Sequence, residues 1–173
     1  MRSFIGAAKH SRVEVTPVFV KVERMNIRIA TAADTPELVE FNQAMALETE
    51  GKQLDADVLS KGVAAVFGDA QKGFYVVAED ERRVVGCLLI TFEWSDWRNG
   101  WFWWIQSVYV RPEARGKSIY SKLYGFVKER AALASDVCGF RLYVDKENEH
   151  AQRVYEKLGM ELSNYLPYEE MAQ

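Results

Sequence analysis

From Met25 onward, apolar residues recur first at strand spacing and then at helical spacing, and each change of period marks a new element. Residues 27–30 read as a short strand. Asp34 or Thr35, with Pro36 just inside, caps a helix to about residue 47. The polar link "ETEGKQLD" (48–55) leads to a second helix, with Asp55 near its cap and Val58, Leu59, Val63 and Val66 on its apolar side. "GFYVVAED" (73–80), "VVGCLLITFEW" (84–94) and "WFWWIQSVYV" (101–110) are strands, joined by the turns "EDERR" and "SDWRNG". After Arg115 a helix carries Ile119, Leu123, Phe126, Val127 and Ala131 at helical spacing. "FRLYV" (140–144) is again a strand. Asn148 then caps a short helix with Ala151, Val154, Tyr155 and Leu158 on one face and Gly159 as its stop. A last strand is expected over roughly 160–168.

This order is strand, two helices, three strands, helix, strand, helix, strand. Hairpins followed by a crossover helix predict an α/β fold with a mixed, mainly antiparallel twisted sheet and helices on both faces. The change from antiparallel to parallel pairing is expected to splay the strands near 101–110 and 140–144 and to open a ligand cleft. Residues 1–24 read as an appendage, with a strand-like run at 13–22 that Pro17 demotes to an edge or an arm. The domain proper is 25–173.

Composition narrows the classes. The chain has 173 residues, 49% of them apolar and 27% charged, with a net charge of −3. That size fits one domain with a sizeable core, and the acidic balance argues against a nucleic-acid binder. The longest apolar stretch, 84–92, is too short to span a bilayer, and "FIGAA" is too short for a signal-peptide core. Cys87 and Cys138 form no CxxC pair or disulfide framework, which points to a reducing, cytoplasmic setting. With His10 and His150 as the two histidines, no zinc-type cluster is expected, hence no metal. Cys87 reads as a small core residue, and His150 as an exposed residue in the first turn of its helix.

The stretch "RPEARGKSIYSKLY" (111–124) crowds Arg111, Arg115 and Lys117 around Gly116 at a helix start. Unpaired backbone N–H groups and the helix dipole attract phosphate at such a place. The alternative is a solvated basic helix start after a proline turn.

Taken together, "QSVYVRPEARGKSIYSKLY" and "RLYVDKENEHAQRVYEKLGM" resemble the GNAT superfamily of N-acetyltransferases. Arg115 and Gly116 match the first motif. Asn148, Ala151, Tyr155, Leu158, Gly159 and Met160 match the second, and the likeness covers about 25–168. Ser118 and Tyr120 stand where the family has two small residues, so the Tyr120 ring has to point away from the phosphates. The resemblance implies acetyl-CoA as co-substrate and an amine acceptor, either a small molecule or a peptide. Its pantetheine arm would pair with the backbone of the strand at Val108, Tyr109 and Val110. The pyrophosphate would lie over Arg115, Gly116, Lys117, Ser118 and Ile119. The strand N–H groups near Val108 would receive the oxyanion, and Tyr155 would act as general acid. Asn148 is a further cofactor candidate, although capping explains it fully. Partners expected are the acceptor alone or a second copy, with no nucleic acid and no membrane.

The acceptor side is read from carboxylates and aromatic faces, because an amine acceptor is normally a cation. Glu93 is the first candidate for base, being held on a strand, and Glu50 is the second, on a link able to close. Trp94, Trp104 and Gln106 are candidates to line the cleft. The rival reading is a non-catalytic acyl-CoA-binding sensor, which would bind CoA without turnover.

Overall fold

The computed structural model describes residues 25–172; the strand-like run at 13–22 and the rest of the appendage lie outside them. Among these residues five strands form one sheet in the order β1-β2-β3-β4-β5. They are β1 (Asn26–Ile29), β2 (Phe74–Asp80), β3 (Arg83–Ser95), β4 (Gly100–Val110) and β5 (Val137–Leu142). The first four pair antiparallel, and β4 pairs with β5 in parallel. The helices are α1 (Thr35–Glu50), α2 (Ala56–Gly68), α3 (Ile119–Ala132) and α4 (Glu149–Lys157). The mixed sheet with helices on both faces is as the sequence predicts.

Two cores follow from strand alternation. On one face Tyr75, Val77, Cys87 and Tyr109 meet Leu38 and Phe41 of α1 and Val63 of α2. On the other, Val76, Leu88, Ile90, Trp103 and Ile105 meet Ile119, Leu123 and Val127 of α3. Cys87 is fully buried, which pushes its thiol up to about 12, so it is a packing residue. The turn between β2 and β3 places Glu81 and Arg82 in the left-handed region, the pattern of a type I′ hairpin built without glycine.

Several local expectations need correction. The first helix runs on to Glu50, so the front of the supposed link at 48–55 is helical; Gly51, at φ 62°, ends it. Asp34 occupies the N-cap position of that helix, but its side chain makes no capping bond. Its carboxylate turns back to accept from the Thr31 N–H at 2.7 Å and to pair with Arg28 at 2.8 Å. Arg28 holds the Asp34 carboxyl below its ordinary range. Asp55 does cap α2, accepting from the Val58 N–H at 2.9 Å. The Val58 side chain, expected on the apolar side, is 69% exposed because it lies in the first turn, beyond the sheet. The strand expected at 140–144 begins and ends earlier, at Val137–Leu142.

No strand forms at 160–168. Residues 161–172 are exposed and carry no sheet pairing. Pro167 removes one donor, and among the described residues no strand lies along them.

Candidate active site

The cleft is made by β4. Its ladder with β3 pairs Gln106 with Leu89 and Tyr109 with Cys87, so Ser107 and Val108 together oppose Leu88. This is a β-bulge, and Ser107 sits at φ 49°. The parallel pairing with β5 ends at Ile105 opposite Leu142, just before the bulge. Beyond it β4 continues to Val110 beside β3 alone. The backbone of 106–110 therefore faces an opening on its β5 side, where the sequence predicts the splay.

At the far end of β4 a short turn, Pro112–Ala114, leads to the start of α3. Residues 115–118 are exposed, and both Gly116 (φ 78°) and Ser118 (φ 56°) lie in the left-handed region. Serine meets a demand there that glycine meets without strain. This double turn brings the chain into α3, whose first-turn N–H groups have no side-chain cap. The basic side chains do something different. Arg115 donates from Nε to the Val110 carbonyl at 2.9 Å and from a terminal nitrogen to Glu48 at 2.6 Å. Arg111 is held by Glu40 at 2.7 Å and by the Val84 carbonyl. Lys117 is exposed.

Tyr120 points inward, away from the exposed loop. Its ring meets Tyr155 of α4 edge-on at 5.3 Å and stacks near Tyr124 at 6.1 Å. Its hydroxyl is buried with no hydrogen-bond partner among the described residues. Burial raises the pKa of all three tyrosines, so each keeps its proton at neutral pH. Asn148 caps α4, accepting from the Ala151 N–H at 3.0 Å, and its side-chain oxygen is thereby used. Gly159, at φ 88°, stops the helix.

The pleat decides which acceptor-side candidates share a face. Register pairs Thr91 with Trp104 and Glu93 with Phe102, and Trp104 donates through its indole N–H to Glu93. Gln106 donates to Thr91 at 2.6 Å. Trp104, Gln106 and Glu93 thus form one surface. Trp94 lies on the opposite face, edge-on to Trp101 at 5.0 Å, and is not part of it. Glu50, at the end of α1, is exposed and paired with Lys52 at 2.6 Å.

Sequence reasoning missed three contributors. Arg141 of β5 binds Glu93 at 2.6 Å and lies 3.7 Å over the Phe102 ring. That ring has room because Gly139 has no side chain: a Cβ there would stand 2.7 Å from it. Tyr143 packs on Trp104, with ring centroids 4.5 Å apart. Glu48 joins α1 to the cleft by accepting from the Tyr109 hydroxyl at 3.2 Å and from Arg115. A charged residue inside the strand-like "FRLYV" was the available signal for Arg141; for Glu48 the signal was its place at the head of the acidic segment 48–55, from which Glu50 was chosen instead.

Among the described residues no group of three or more His, Cys, Asp or Glu is gathered to hold a metal ion, and no helix is long and apolar enough to cross a membrane.

Comparison with known proteins bears on this site. The family model described as Acetyltransferase (GNAT) family matches residues 36–160. A possible acetyltransferase from Clostridium difficile is 45% identical, with 86% of this chain and 98% of that chain covered and a TM-score of 0.80. A predicted acetyltransferase from Clostridium acetobutylicum, solved with acetyl-CoA, is 20% identical over 84% of this chain and 96% of its own, with a TM-score of 0.65. A ribosomal-protein-alanine N-acetyltransferase from Brucella melitensis is 15% identical over 87% and 100%, with a TM-score of 0.70. The last two speak to the fold alone. No curated protein matches the chain.

Proposed function

The chain belongs to the acetyltransferase (GNAT) family, and from that premise we propose that it moves the acetyl group of acetyl-CoA to an amine by direct attack on the thioester. The observation that carries this reading is the opening beside 106–110, bounded by the bulge at Ser107 and by the end of the β5 ladder. An amide-bearing pantetheine arm fits such an opening by strand addition, using backbone groups that have no neighbouring strand. The α3 start then receives the pyrophosphate through its N–H groups, with Lys117 as the exposed cation. Arg115 serves first as a brace, since Val110 and Glu48 already hold it; it reaches the pyrophosphate by giving up Glu48.

In the reaction the amine nitrogen bonds to the thioester carbon and the carbon–sulfur bond breaks. The ammonium loses a proton, and the departing thiolate gains one. The Val108 N–H beside the bulge faces the developing oxyanion. Tyr155, protonated at neutral pH, supplies the proton to sulfur. Both oxygens of Glu93 are engaged, by Trp104 and Arg141. We therefore assign it to binding the cationic acceptor with Trp104, and give proton removal to water beside Gln106 and Ser107. A cytoplasmic setting suits this chemistry, because it supplies acetyl-CoA.

An acceptor screen that follows free CoA thiol tests the reading. Acceptor-dependent thiol release supports it. Tight CoA binding without release on any amine would turn it to the sensor.

A further inference from the structure

The face of the sheet that α1 and α2 cover outruns the helices. Leu89 is the last apolar β3 residue of that face packed into their core. Beyond it Thr91 and Glu93 follow on β3, Trp104 and Phe102 lie opposite them on β4, and Arg141 lies beside Trp104 on β5. This strip is open. The side chains of Glu93 and Arg141 are 40% and 36% exposed, and Tyr143 is 64% exposed.

Its charges are arranged for a ligand with two signs. Arg141 lies 3.7 Å over the Phe102 ring and 5.9 Å from the centre of Trp104. Arg98, from the turn between β3 and β4, lies over the same Phe102 ring at 5.2 Å. Glu93 accepts from Arg141 at 2.6 Å, whereas Asp96 in the turn accepts from the Trp97 N–H. Among the described residues that is the one side-chain hydrogen bond of Arg141, and Arg98 makes none. Two guanidinium groups thus face one carboxylate, with donors unspent. A guanidinium packed on an aromatic ring still offers its planar fork to a carboxylate. A ligand with ammonium groups alone would compete with Arg141 for Glu93 and add to the excess positive charge. A ligand that brings an ammonium and a carboxylate together completes both partners.

Resting on the acetyl-transfer reading, we propose that the acceptor is a free diamino acid of the lysine type. Arg141, aided by Arg98, binds its α-carboxylate, Glu93 binds its α-ammonium, and the side-chain amine is acetylated. That nitrogen bonds to the thioester carbon as the carbon–sulfur bond breaks; it loses one proton, and the sulfur gains one. Distance along β4 selects the far amine. Val108 stands three ladder steps beyond Trp104, from opposite Thr91 to opposite Leu88, or roughly 10 Å. An α-amine lies next to its own carboxylate and cannot span that gap from Arg141. A lysine-type amine ends a flexible four-carbon stem and can. Trp104 and Tyr143, with ring centroids 4.5 Å apart, give the stem an apolar wall, and exposed Gln106 lies on its way to the bulge.

Three amines separate the two contacts. Lysine offers both head groups, cadaverine the ammonium without the carboxylate, and ε-aminocaproate the carboxylate without the ammonium. In thiol release, kcat/KM for lysine should exceed that for either by about tenfold or more, the scale of one charged hydrogen bond. Arg141→Gln should abolish the advantage over cadaverine, and Arg141→Lys should restore part of it. Glu93→Gln should abolish the advantage over ε-aminocaproate. KM for acetyl-CoA and the circular dichroism should be kept in all three variants. Equal or faster turnover of cadaverine, or of lysine blocked at both head groups as its Nα-acetyl amide, overturns the proposal while acetyl transfer stands. If no amine releases thiol, acetyl transfer falls, and calorimetry of lysine on the CoA-bound chain decides the site. Lysine binding that Arg141→Gln abolishes upholds it; no lysine binding, or binding that the substitution leaves intact, overturns it.

Discussion

Strands β1 to β4 with α1, α2 and α3 bury Leu38, Phe41, Val76, Leu88, Ile90 and Leu123 completely, whereas β5 and α4 contain no fully buried residue. The first region is held from both faces and laced by ion pairs such as Arg28 with Asp34 and Glu79. The second hangs from one parallel ladder and from a helix attached along a single apolar side. The boundary between them is the cleft. The difference teaches that the walls are built differently: the dense wall holds the bulge and leads into the loop at 115–118, while the light wall carries Tyr155 and Arg141 on elements with no fully buried residue.

If that division is right, substitutions should separate stability from turnover. Phe41→Ala, in the dense wall, should cost about 3–5 kcal/mol in chemical denaturation, the range for emptying a buried aromatic site. Leu158→Ala, in the light wall, should cost well under half of that; equal costs would erase the contrast.

Tyr155→Phe should reverse the pattern. Stability should hardly change, while kcat on an identified acceptor falls about 10²-fold, near 2.7 kcal/mol, with KM for acetyl-CoA kept. Full kcat across the pH profile would reduce Tyr155 to packing.

The pair of Arg28 and Asp34 offers a pH test of the dense wall. Asp34 has a lowered folded pKa, so its contribution to stability is present above the ordinary Asp value of about 3.9 and is lost as pH falls through the folded value. Asp34→Asn should cost about 1–3 kcal/mol at pH 7 and flatten the acid limb of the stability curve. An unchanged acid limb would remove the pair from the account.

Smaller effects probe the light wall. Asn148→Ala should lower stability by about 1 kcal/mol through the lost cap, with CoA affinity unchanged; weaker CoA binding in calorimetry would give Asn148 a cofactor role instead. Tyr120→Phe removes a buried hydroxyl that has no partner, so thermal unfolding should show a shift of less than about 1 kcal/mol, in the stabilising direction. A clear loss of stability would mean that the hydroxyl is satisfied after all.

The sequence by itself determined the order of elements from β1 to α4, the mixed sheet and the motifs at 115–119 and 148–160, because these rest on periodicity and on caps that act within a few residues. It placed Asn148, Asp55 and Gly159 correctly for that reason. Only the tertiary structure decided which candidates share a face. Trp94 and Glu93 are neighbours in sequence, yet the pleat sends them to opposite sides. Arg115 reads from the sequence as a free cation, whereas in the fold Glu48, 67 residues away, holds it. Arg141 and Glu93 meet only because β5 returns parallel to β4. The segment at 160–168 reads as a strand by its own pattern, but a strand needs a partner, and pattern alone supplies none. Local rules fix what a residue can form; what it meets depends on contacts between parts of the chain that no local spacing encodes.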